Sequence, residues 1–534
     1  MVLTEKTKVE LALAQTELSA KTALKEIVKA DSALTIAEIE RKRSESEKKN
    51  AIIDKNRADS ALKISQNIIK QLYFYKDRYG LVAKKSESVY SNHERKIKVD
   101  GVLYGFMDKQ GNTLINYRYE EAEPFDENTS LAKVKLNGNY FLIDTIGKKE
   151  YKFCDNIVDL DSAIEALALK YRHKDRYAEI FNFTRLKILI VPGCFNKFPD
   201  ELLNIKDSLL ILDLSESKIS SLPEWIGKLN TLTAFYLSHN KLKSLPPELG
   251  LLTNLRKLDL HWNNFTLLPP TIGKLIKLEQ LFLSGNKLTS LPIELFNIEN
   301  LKSLTINDNN INNLSPAIGN LKNLANLKAD NNPLYSIPKT VGLLQKLTTL
   351  SLQNTQLQAL PNEIGSLDYL SNLQLSKNHL TYLPSEFANL RNLNVLSFYR
   401  NDFSNIPIEV FKLKKLTWLN LAHNHLTNIS TSISELKNLE FLDLSGNKLT
   451  SLPAEIGNLL NLKFLYLVHN KLTNLPNEIS KLTSLEELDL GGNDFSKTEI
   501  QRIQKLLPKC SIYIDHSIDL KLYYDLIYDN IDFR

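Results

Sequence analysis

Residues 439–461 read LEFLDLSGNKLTSLPAEIGNLLN, and this stretch decides the fold because the chain repeats its pattern every 23 residues. With the first Leu as position 1, the pattern is LxxLxLxxNxLxxLPxxIGxLxx, and it runs from Leu209 through thirteen units without an insertion. Asn or a small hydroxyl residue occupies position 9: Ser217, Asn240, Asn263, Asn286, Asn309, Asn332, Thr355, Asn378, Asn401, Asn424, Asn447, Asn470 and Asn493. A period of this length indicates a solenoid, in which stacked units bury their apolar faces against one another.

Each repeated position has a physical role. Leu at positions 1, 4 and 6, as in Leu255, Leu258 and Leu260, is expected to point into a shared core, with a short strand at positions 3 to 7. Asn at position 9 should hydrogen-bond backbone groups where the chain leaves the strand, so that stacked copies form a ladder. Pro at position 15 suits the start of a helical return segment, and Gly at position 19 permits close packing against the next unit.

The pattern resembles the intracellular leucine-rich repeat proteins with LPxxIG units, which include Ras-pathway scaffolds and many bacterial proteins. The resemblance covers about residues 164–515 and implies an α/β fold, a right-handed solenoid or horseshoe whose strands line the concave face. We expect degenerate capping repeats at 156–208, the thirteen regular repeats at 209–497, and a helix, a strand and a tail that cap the solenoid at 498–534.

Residues 1–90 precede the repeats and are predicted to form long α-helices, because residues 1–79 contain no Gly and are rich in Ala, Glu, Lys, Leu and Ile. Two interpretations stay open for this segment. It is either a solvated helical hairpin or stalk, or a coiled coil through which the protein forms a homo-oligomer.

A small β module is predicted at 96–155. LYGFMDKQGNTL (103–114) aligns with NYFLIDTIGKKE (139–150) at an offset of 36 residues, and each segment reads as a strand, a tight turn and a second strand. The pair resembles β repeats of the WG type, WGFIDxxG, with Tyr104 and Tyr140 in place of the Trp.

Composition excludes several classes of protein. A net charge of +5 over 534 residues is too weak a bias for a nucleic-acid-binding protein. The longest apolar stretches, such as 188–191, are far shorter than the ~20 residues of a membrane helix, so no membrane insertion is expected. The three cysteines, Cys154, Cys194 and Cys510, form no CxxC or Cys/His cluster, which favours a reducing compartment, the cytoplasm.

Motifs for catalysis and cofactor binding are missing from the sequence. It contains no GxxxxGK[ST] phosphate loop, no GxSxG and no HExxH, so we expect a non-enzymatic protein without a cofactor. His423 and His469 stand two units apart, roughly 10 Å at the strand spacing, without Cys or Asp neighbours at zinc distances. No metal site is therefore predicted.

The candidate binding residues are side chains at positions 3, 5, 7 and 8, which are expected to project from the concave strands into solvent. Middle units carry small or polar residues there, such as Ser303, Asn326 and Gln353. The late patch, in the units from 393 to 469, contains Tyr399, Arg400, Trp418, His423, Phe441, Phe464, Tyr466 and His469. The early patch contains Tyr236, His261, Trp262 and Phe282. Grouped exposed aromatics resemble interface hot spots; the alternative is that they stack along the sheet for stability.

These features predict a scaffold or sensor that binds a protein or peptide on the concave face, preferably through the late patch. The alternative is a regulatory subunit of a multi-component signalling complex that assembles through the N-terminal helices. We expect Trp418→Ala with Tyr466→Ala to weaken partner capture while leaving the melting transition unchanged.

Overall fold

The structure is a computed structural model, and it describes residues 80–85, 102–107, 113–119, 121–122, 131–136, 139–144, 150–154, 165–168 and 180–514. Apart from 80–85, the predicted helical segment 1–90 lies outside the described residues, as does the tail after residue 514. The chain divides into two compact units, and the larger one, Leu81–Gly105 with Ile115–Asp525, contains the repeats. Among the described residues, no helix has the length and apolar character needed to cross a bilayer.

Short strands dominate the described residues. They are β1 Gly80–Lys85, β2 Val102–Met107, β3 Thr113–Tyr119, β4 Glu121–Ala122, β5 Leu131–Leu136, β6 Asn139–Asp144, β7 Glu150–Cys154, β8 Ala166–Ala168, β9 Ile188–Ile190, β10 Ile211–Asp213, β11 Ala234–Tyr236, β12 Lys257–Asp259, β13 Gln280–Phe282, β14 Ser303–Thr305, β15 Asn326–Lys328, β16 Thr349–Ser351, β17 Asn372–Gln374, β18 Val395–Ser397, β19 Trp418–Asn420, β20 Phe441–Asp443, β21 Phe464–Tyr466, β22 Glu487–Asp489 and β23 Ser511–Tyr513. From β10 to β22, each strand holds positions 3 to 5 of one unit, so it begins at the predicted position but is shorter than the predicted strand at positions 3 to 7.

Sixteen of these strands, β8 to β23, pair in parallel with their neighbours in chain order. The register follows the repeat, so that equal positions pair, as Leu281 does with Leu304 and Leu304 with Leu327. Within the described residues no register pair joins β23 to β4, so the sheet is open. The Leu residues of positions 1, 4 and 6 form one continuous buried core beneath it, which confirms the predicted solenoid.

The small β module continues into this sheet. Strands β4 to β7 form an antiparallel meander, in which Leu142 pairs with Tyr151. Strand β7 then pairs in parallel with β8, through Phe153 and Ala166. The strands of the module therefore cover the first edge of the solenoid sheet, which would otherwise expose unpaired backbone groups.

The Asn residues at position 9 form the predicted ladder. Asn263 Nδ2 donates to the carbonyl oxygens of Leu237 in the preceding unit, at 2.9 Å, and of Leu260 in its own unit, at 3.2 Å. Its Oδ1 accepts from the backbone N–H of Leu242, at 3.0 Å. Thr355 occupies the same position and replaces only part of this hydrogen bonding, since its hydroxyl donates to Leu352 O at 2.9 Å. The ladder thus satisfies buried backbone groups at the turn after each strand.

The return segments are single 3₁₀ turns rather than α-helices. They are Asp200–Ile205, Glu224–Lys228, Pro247–Leu251, Pro270–Lys274, Ile293–Asn297, Pro316–Asn320, Lys339–Leu343, Asn362–Ser366, Ser385–Asn389, Ile408–Lys412, Thr431–Glu435, Ala454–Asn458 and Asn477–Lys481. Position 15 is the N-cap of the turn in the first twelve of the thirteen regular units, usually as Pro. Where Ser315 and Ser430 replace Pro, their hydroxyls accept the backbone N–H two residues later at 3.2 Å, a standard capping bond.

Position 19 and the C-terminal cap complete the packing. A Cβ added at Gly227 would lie 2.8 Å from Leu251 Cδ1 and 2.9 Å from Glu248 O of the next unit, so only Gly allows this approach. After the last repeat, helix α1, Lys497–Leu506, is capped by Ser496, which accepts from Glu499 N at 3.1 Å. Arg502 binds Glu499 and the carbonyl oxygen of Leu475, which anchors the helix to the array.

Candidate protein-binding face

The side chains of positions 3, 5, 7 and 8 form what we call the strand face, which is the face expected to be concave. Since neighbouring parallel strands lie about 4.8 Å apart and pair in register, equal positions of successive units stand side by side. A large side chain on this face therefore contacts its counterparts in the units before and after it, and the size of those counterparts decides how much of it remains exposed.

Position 8 has a left-handed backbone conformation in every one of the thirteen units. The φ angles include 50° at Trp262, 53° at Arg400 and 54° at His423. Asn, Asp and His are the non-Gly residues most tolerant of this region, and they supply six of these positions. A large residue such as Trp262 adopts this conformation at a cost in backbone energy.

Three large rings at position 8 lie against a glycine at the same position of the next unit. A Cβ at Gly285 would lie 2.5 Å from the Trp262 ring, and a Cβ at Gly446 would lie 2.7 Å from Nδ1 of His423. His469 lies in the same way against Gly492. The missing side chain of the glycine leaves the space in which each ring lies.

In the early patch, the rings pack on one another. Trp262 is 50% exposed and stacks on His239, with ring centroids 5.9 Å apart at 19°. His261 packs on Phe282 at 5.2 Å, and its Nδ1 lies 3.0 Å from Oδ1 of Asp259.

Lys257 lies between two aromatic rings of the early patch. Its Nζ lies 4.9 Å from the centroid of the Phe282 ring and 5.5 Å from that of Tyr236. Because its ammonium is held between these rings, Lys257 is buried. Trp262 is therefore the main exposed apolar surface of the early patch.

In the late patch, a column of rings follows position 3 across three units. Trp418 and Phe441 stack with centroids 4.8 Å apart at 10°, and Phe464 pairs with Phe441 in the next strand. Trp418 and Phe464 are partly exposed, whereas Phe441 between them is buried. We call Trp418, Phe441 and Phe464 the aromatic stripe.

Positively charged residues and histidines follow position 8 of the same units. Arg400 is exposed, and its guanidinium lies 5.2 Å from the centroid of the Tyr399 ring. Tyr399 in turn packs edge-on against His423 at 5.3 Å. Burial lowers the pKa of His423, and the positive charges of Arg400 and His469 lower it further.

Four of the twelve candidate residues are not exposed, and the expectation of solvent-facing aromatics is wrong for them. Tyr236, Tyr399, Tyr466 and Phe441 are 1%, 3%, 5% and 6% exposed, because side chains of neighbouring strands cover them. Tyr466 also donates its hydroxyl to Glu487 Oε2 at 3.2 Å. Tyr466→Ala would therefore disturb the packing of the sheet and is a poor test of binding.

The remaining eight candidates do reach the surface. Trp262, Arg400 and His469 are exposed at position 8, and the other five are partly exposed: His261, Phe282, Trp418, His423 and Phe464. The structure brings these residues together as the two separate patches that the sequence predicts, with the polar middle units between them.

The middle units form a hydrogen-bonded polar surface. At position 8, Asn331 Nδ2 donates to Asp308 Oδ1 at 2.7 Å, and Asn354 Nδ2 donates to Asn331 Oδ1 at 3.0 Å. Asp330 at position 7 is buried and accepts from Ser351 Oγ at 2.6 Å. Burial raises the pKa of Asp330 to about 6, although its hydrogen bonds and Lys328 oppose the rise.

Sequence reasoning missed three features of this face. The glycines beneath the position-8 rings had a signal, since each follows a ring by 23 residues. Lys257 and Asp330 had none, because their burial depends on neighbours in other units. Among the described residues no group of three or more His, Cys, Asp or Glu side chains is arranged to hold a metal ion.

Comparison with known families and structures agrees with the repeat geometry. The family model described as a leucine-rich repeat region matches residues 169–306 and 408–509, and that of the WG containing repeat matches residues 104–140. No curated protein matches the chain.

Among solved structures, a leucine-rich repeat protein of Leptospira interrogans is 36% identical, with a TM-score of 0.61, and the match covers 68% of this chain and 99% of that one. An internalin of Listeria monocytogenes, inlF, is 24% identical, with a TM-score of 0.52 and coverage of 59% and 89%, and shares the fold. A TDR receptor is 26% identical, with a TM-score of 0.52 and coverage of 66% and 64%. With its 23-residue units, parallel sheet and asparagine ladder, the chain belongs to the leucine-rich repeat family.

Proposed function

We propose that the protein is a non-enzymatic interaction module that binds a protein or peptide partner on the strand face, through the late patch. The fold supports this proposal, since leucine-rich repeats typically serve as protein-binding modules and the described residues hold no metal-ligand cluster. Binding to one face of a solenoid also needs no change in the core, which lies on the other side of the sheet.

The aromatic stripe is the observation that carries the proposal. Position 3 holds small or polar residues in the four middle units, Ser303, Asn326, Thr349 and Asn372. In the late units it holds Trp418, Phe441 and Phe464 instead, and Trp418 and Phe464 are partly exposed at the two ends of the stripe. Folding does not require large apolar residues at this position, and Trp is among the residues most enriched at binding hot spots.

The late patch is a better candidate than the early patch because of its extent. Its exposed and partly exposed members lie in three units, spanning Arg400 to His469, and include both apolar and charged groups. In the early patch the rings contact one another and Lys257, so that Trp262 supplies most of the exposed apolar area. The early patch therefore serves as the internal comparison for the test.

The test uses the full chain, immobilised and exposed to a displayed library of random 12-residue peptides. Wild type is expected to retain a set of peptides, and Trp418→Ala with Phe464→Ala to lose them, with binding about 10-fold or more weaker because hot-spot truncations cost about 2 kcal/mol or more. Since both side chains are partly exposed, we expect the double variant to keep the circular-dichroism spectrum of wild type.

Two control variants accompany the double variant. Tyr369→Ala with Tyr382→Ala removes two aromatics that are 65% and 58% exposed but lie off the strand face. Trp262→Ala removes the exposed ring of the early patch. Both controls should retain the peptides; if the late-patch variant also retains them, or if Trp262→Ala alone loses them, the late patch is not the site.

We also propose that the protein works in a reducing compartment, the cytoplasm. An odd, sparse set of three cysteines does not suit a disulfide framework, which supports this location. The regulatory-subunit alternative depends on residues 1–90, of which the structure describes 80–85.

A further inference from the structure

We propose that the late patch recognises a peptide segment that carries apolar side chains along one side and carboxylates along the other. This inference rests on the proposed function and adds the chemical class of the partner. It follows from the charge pattern of the patch, from the hydrogen-bonding state of its acids and from two buried polar atoms between its edges.

The two edges of the patch differ in chemistry. One edge is the aromatic stripe at position 3. The other, which we call the basic edge, consists of Lys377, Arg400, His423 and His469 at position 8 with Lys448 and Lys471 at position 10. From 377 to 469, position 8 contains no acid, whereas Asp308 and two Asn residues occupy it in the middle units.

Three cations of the basic edge have no acidic partner in the part of the chain that the structure describes. Arg400, Lys448 and Lys471 are exposed, and among the described residues no carboxylate lies within ion-pair distance of any of them. The ring of Tyr399 is the recorded contact of the Arg400 guanidinium. These groups are therefore available to a carboxylate from outside, and Arg matches carboxylate geometry through two parallel hydrogen bonds.

The acids around the patch already have donors. Asp402 at position 10 lies between two histidines, 3.2 Å from His379 Nδ1 and 3.5 Å from His425 Nε2. Glu440 accepts from Lys463 Nζ at 2.6 Å, and Asp443 accepts from the backbone N–H of Ser445 at 2.9 Å. Glu487 accepts from the Tyr466 hydroxyl. The acids named here thus already accept hydrogen bonds, whereas the exposed cations Arg400, Lys448 and Lys471 lie together on one edge of the patch.

Buried residues separate the two edges, and in the two central units they are short. Position 5 holds Ser397, Asn420, Asp443 and Tyr466, and position 7 holds Tyr399, Ala422, Ser445 and Val468. Two polar atoms between the edges, Asn420 Nδ2 and Ser445 Oγ, are buried without a hydrogen-bond partner among the described residues. Both can donate a hydrogen bond, and such donors favour a ligand rich in carbonyl and carboxylate oxygens.

The spacing of the edges suits a single peptide segment. Positions 3 and 8 are five residues apart, at most about 16 Å along an extended chain, and an α-helix with its side chains is about 10–12 Å wide. A segment that lies along the stack can therefore reach the aromatic stripe with one row of side chains and the basic edge with another.

Nucleic acid fits this surface less well than an acidic peptide. Its phosphates would approach Arg400, but bases stacked on Trp418 and Phe464 would bring the backbone close to Glu440 and Glu487, which lie beside the aromatic stripe. Nucleic acid is therefore the competing outcome that the experiment must separate.

The experiment measures the composition of the peptides that the library yields. Wild type is expected to enrich apolar residues together with Asp and Glu relative to the input. Arg400→Glu with Lys471→Glu should abolish the acidic enrichment and select Lys and Arg instead. The matched control, Lys228→Glu with Lys274→Glu, makes the same change in net charge at exposed sites on the return segments and should select acidic peptides as wild type does.

Three outcomes overturn the inference. If the peptides depend on Trp418 and Phe464 but show no acidic enrichment, the inference fails while the proposed function stands. If the charge-reversal variant and its control select the same acidic peptides, the basic edge is not the recognition element. If a 12-nucleotide single-stranded DNA binds and displaces the peptides in an Arg400-dependent way, the partner class is nucleic acid. Retention that does not depend on Trp418 and Phe464 contradicts the proposed function itself.

Discussion

Position 8 shows how one residue controls what lies on the strand face. Its left-handed backbone is tolerated by Asn, Asp, His and Gly. Position 8 of successive units can therefore carry hydrogen-bonded polar side chains, rings or glycines. The hydrogen-bonded side chains of Asp308, Asn331 and Asn354 occupy it in the middle units. In the late units a ring and a glycine alternate, as His423 does with Gly446. The polar ladder of the middle units and the rings of the late patch thus share the same backbone conformation.

Asp330 is an ionisable residue that folding buries, and burial opposes the charged form of its carboxyl group. Its carboxyl group is buried at position 7, and burial raises its pKa from 3.8 to about 6. In the unfolded chain the carboxyl loses its proton near pH 3.8, and in the folded chain only near pH 6. The folded state therefore binds more protons in this window, and the free energy of unfolding falls as the pH rises from about 4 to about 6.

Asp330→Asn should relieve this destabilisation. The amide oxygen can still accept from Ser351 and from the backbone N–H of Gln353, but it carries no charge to bury. We expect the free energy of unfolding to rise by about 1–3 kcal/mol at pH 7.5 and to stay close to wild type at pH 4. Thermal unfolding followed by circular dichroism at the two pH values, with the exposed Asp368→Asn as control, measures this. A variant less stable than wild type at pH 7.5 would show that Asp330 stabilises the fold as an anion.

At the scale of elements, the asparagine ladder joins each strand to the next. Asn401 is a typical member: its Nδ2 donates to the carbonyl oxygens of Leu375 and Phe398 at 2.9 and 3.1 Å, and its Oδ1 accepts from Leu380 N at 3.0 Å. All three hydrogen bonds are buried. The ladder thus acts in addition to the leucine core.

Asn401→Ala should lower the free energy of unfolding by about 2–4 kcal/mol, because each unsatisfied buried group costs about 1–3 kcal/mol and neighbouring losses are partly relieved. Asn401→Thr should cost less than the Ala variant, because the hydroxyl of Thr355 at the same position donates to Leu352 O at 2.9 Å. Urea unfolding of the two variants gives both numbers. Equal stability of Ala and Thr would mean that side-chain hydrogen bonding at position 9 is unimportant.

The sequence predicts an element when the residues of the repeat itself produce it, and does not when the element depends on residues outside the repeat register. The start of each strand at position 3, the ladder and the Gly contacts follow from the 23-residue register and are predictable, whereas the end of each strand at position 5 is not. The pairing of β7 with β8 is not, since no periodicity links residues 150–154 to 166–168. The return segments are 3₁₀ turns because five residues between a Pro and a core Leu leave no room for longer helices.

At the scale of the whole molecule, the sequence predicts where the candidate site lies but not which of its side chains are exposed. The positions of the two patches follow from the sequence alone. The burial of Tyr236, Tyr399, Phe441 and Tyr466 does not, because it depends on the size of side chains one unit away. The same dependence applies to the basic edge, whose cations lie on adjacent units with no acid at position 8 between them. The buried rings of the late patch thus stack within the sheet, and the binding that we propose falls to its exposed and partly exposed residues.

The central claim is that the aromatic stripe of the late patch binds the partner, and the dissociation constant of a selected peptide tests it most directly. Calorimetric titration compares wild type, Trp418→Ala with Phe464→Ala, and Trp262→Ala. We predict that the late-patch variant binds at least about 10-fold more weakly, while Trp262→Ala binds as wild type does. Equal dissociation constants for wild type and the late-patch variant, with both folded, would contradict the account.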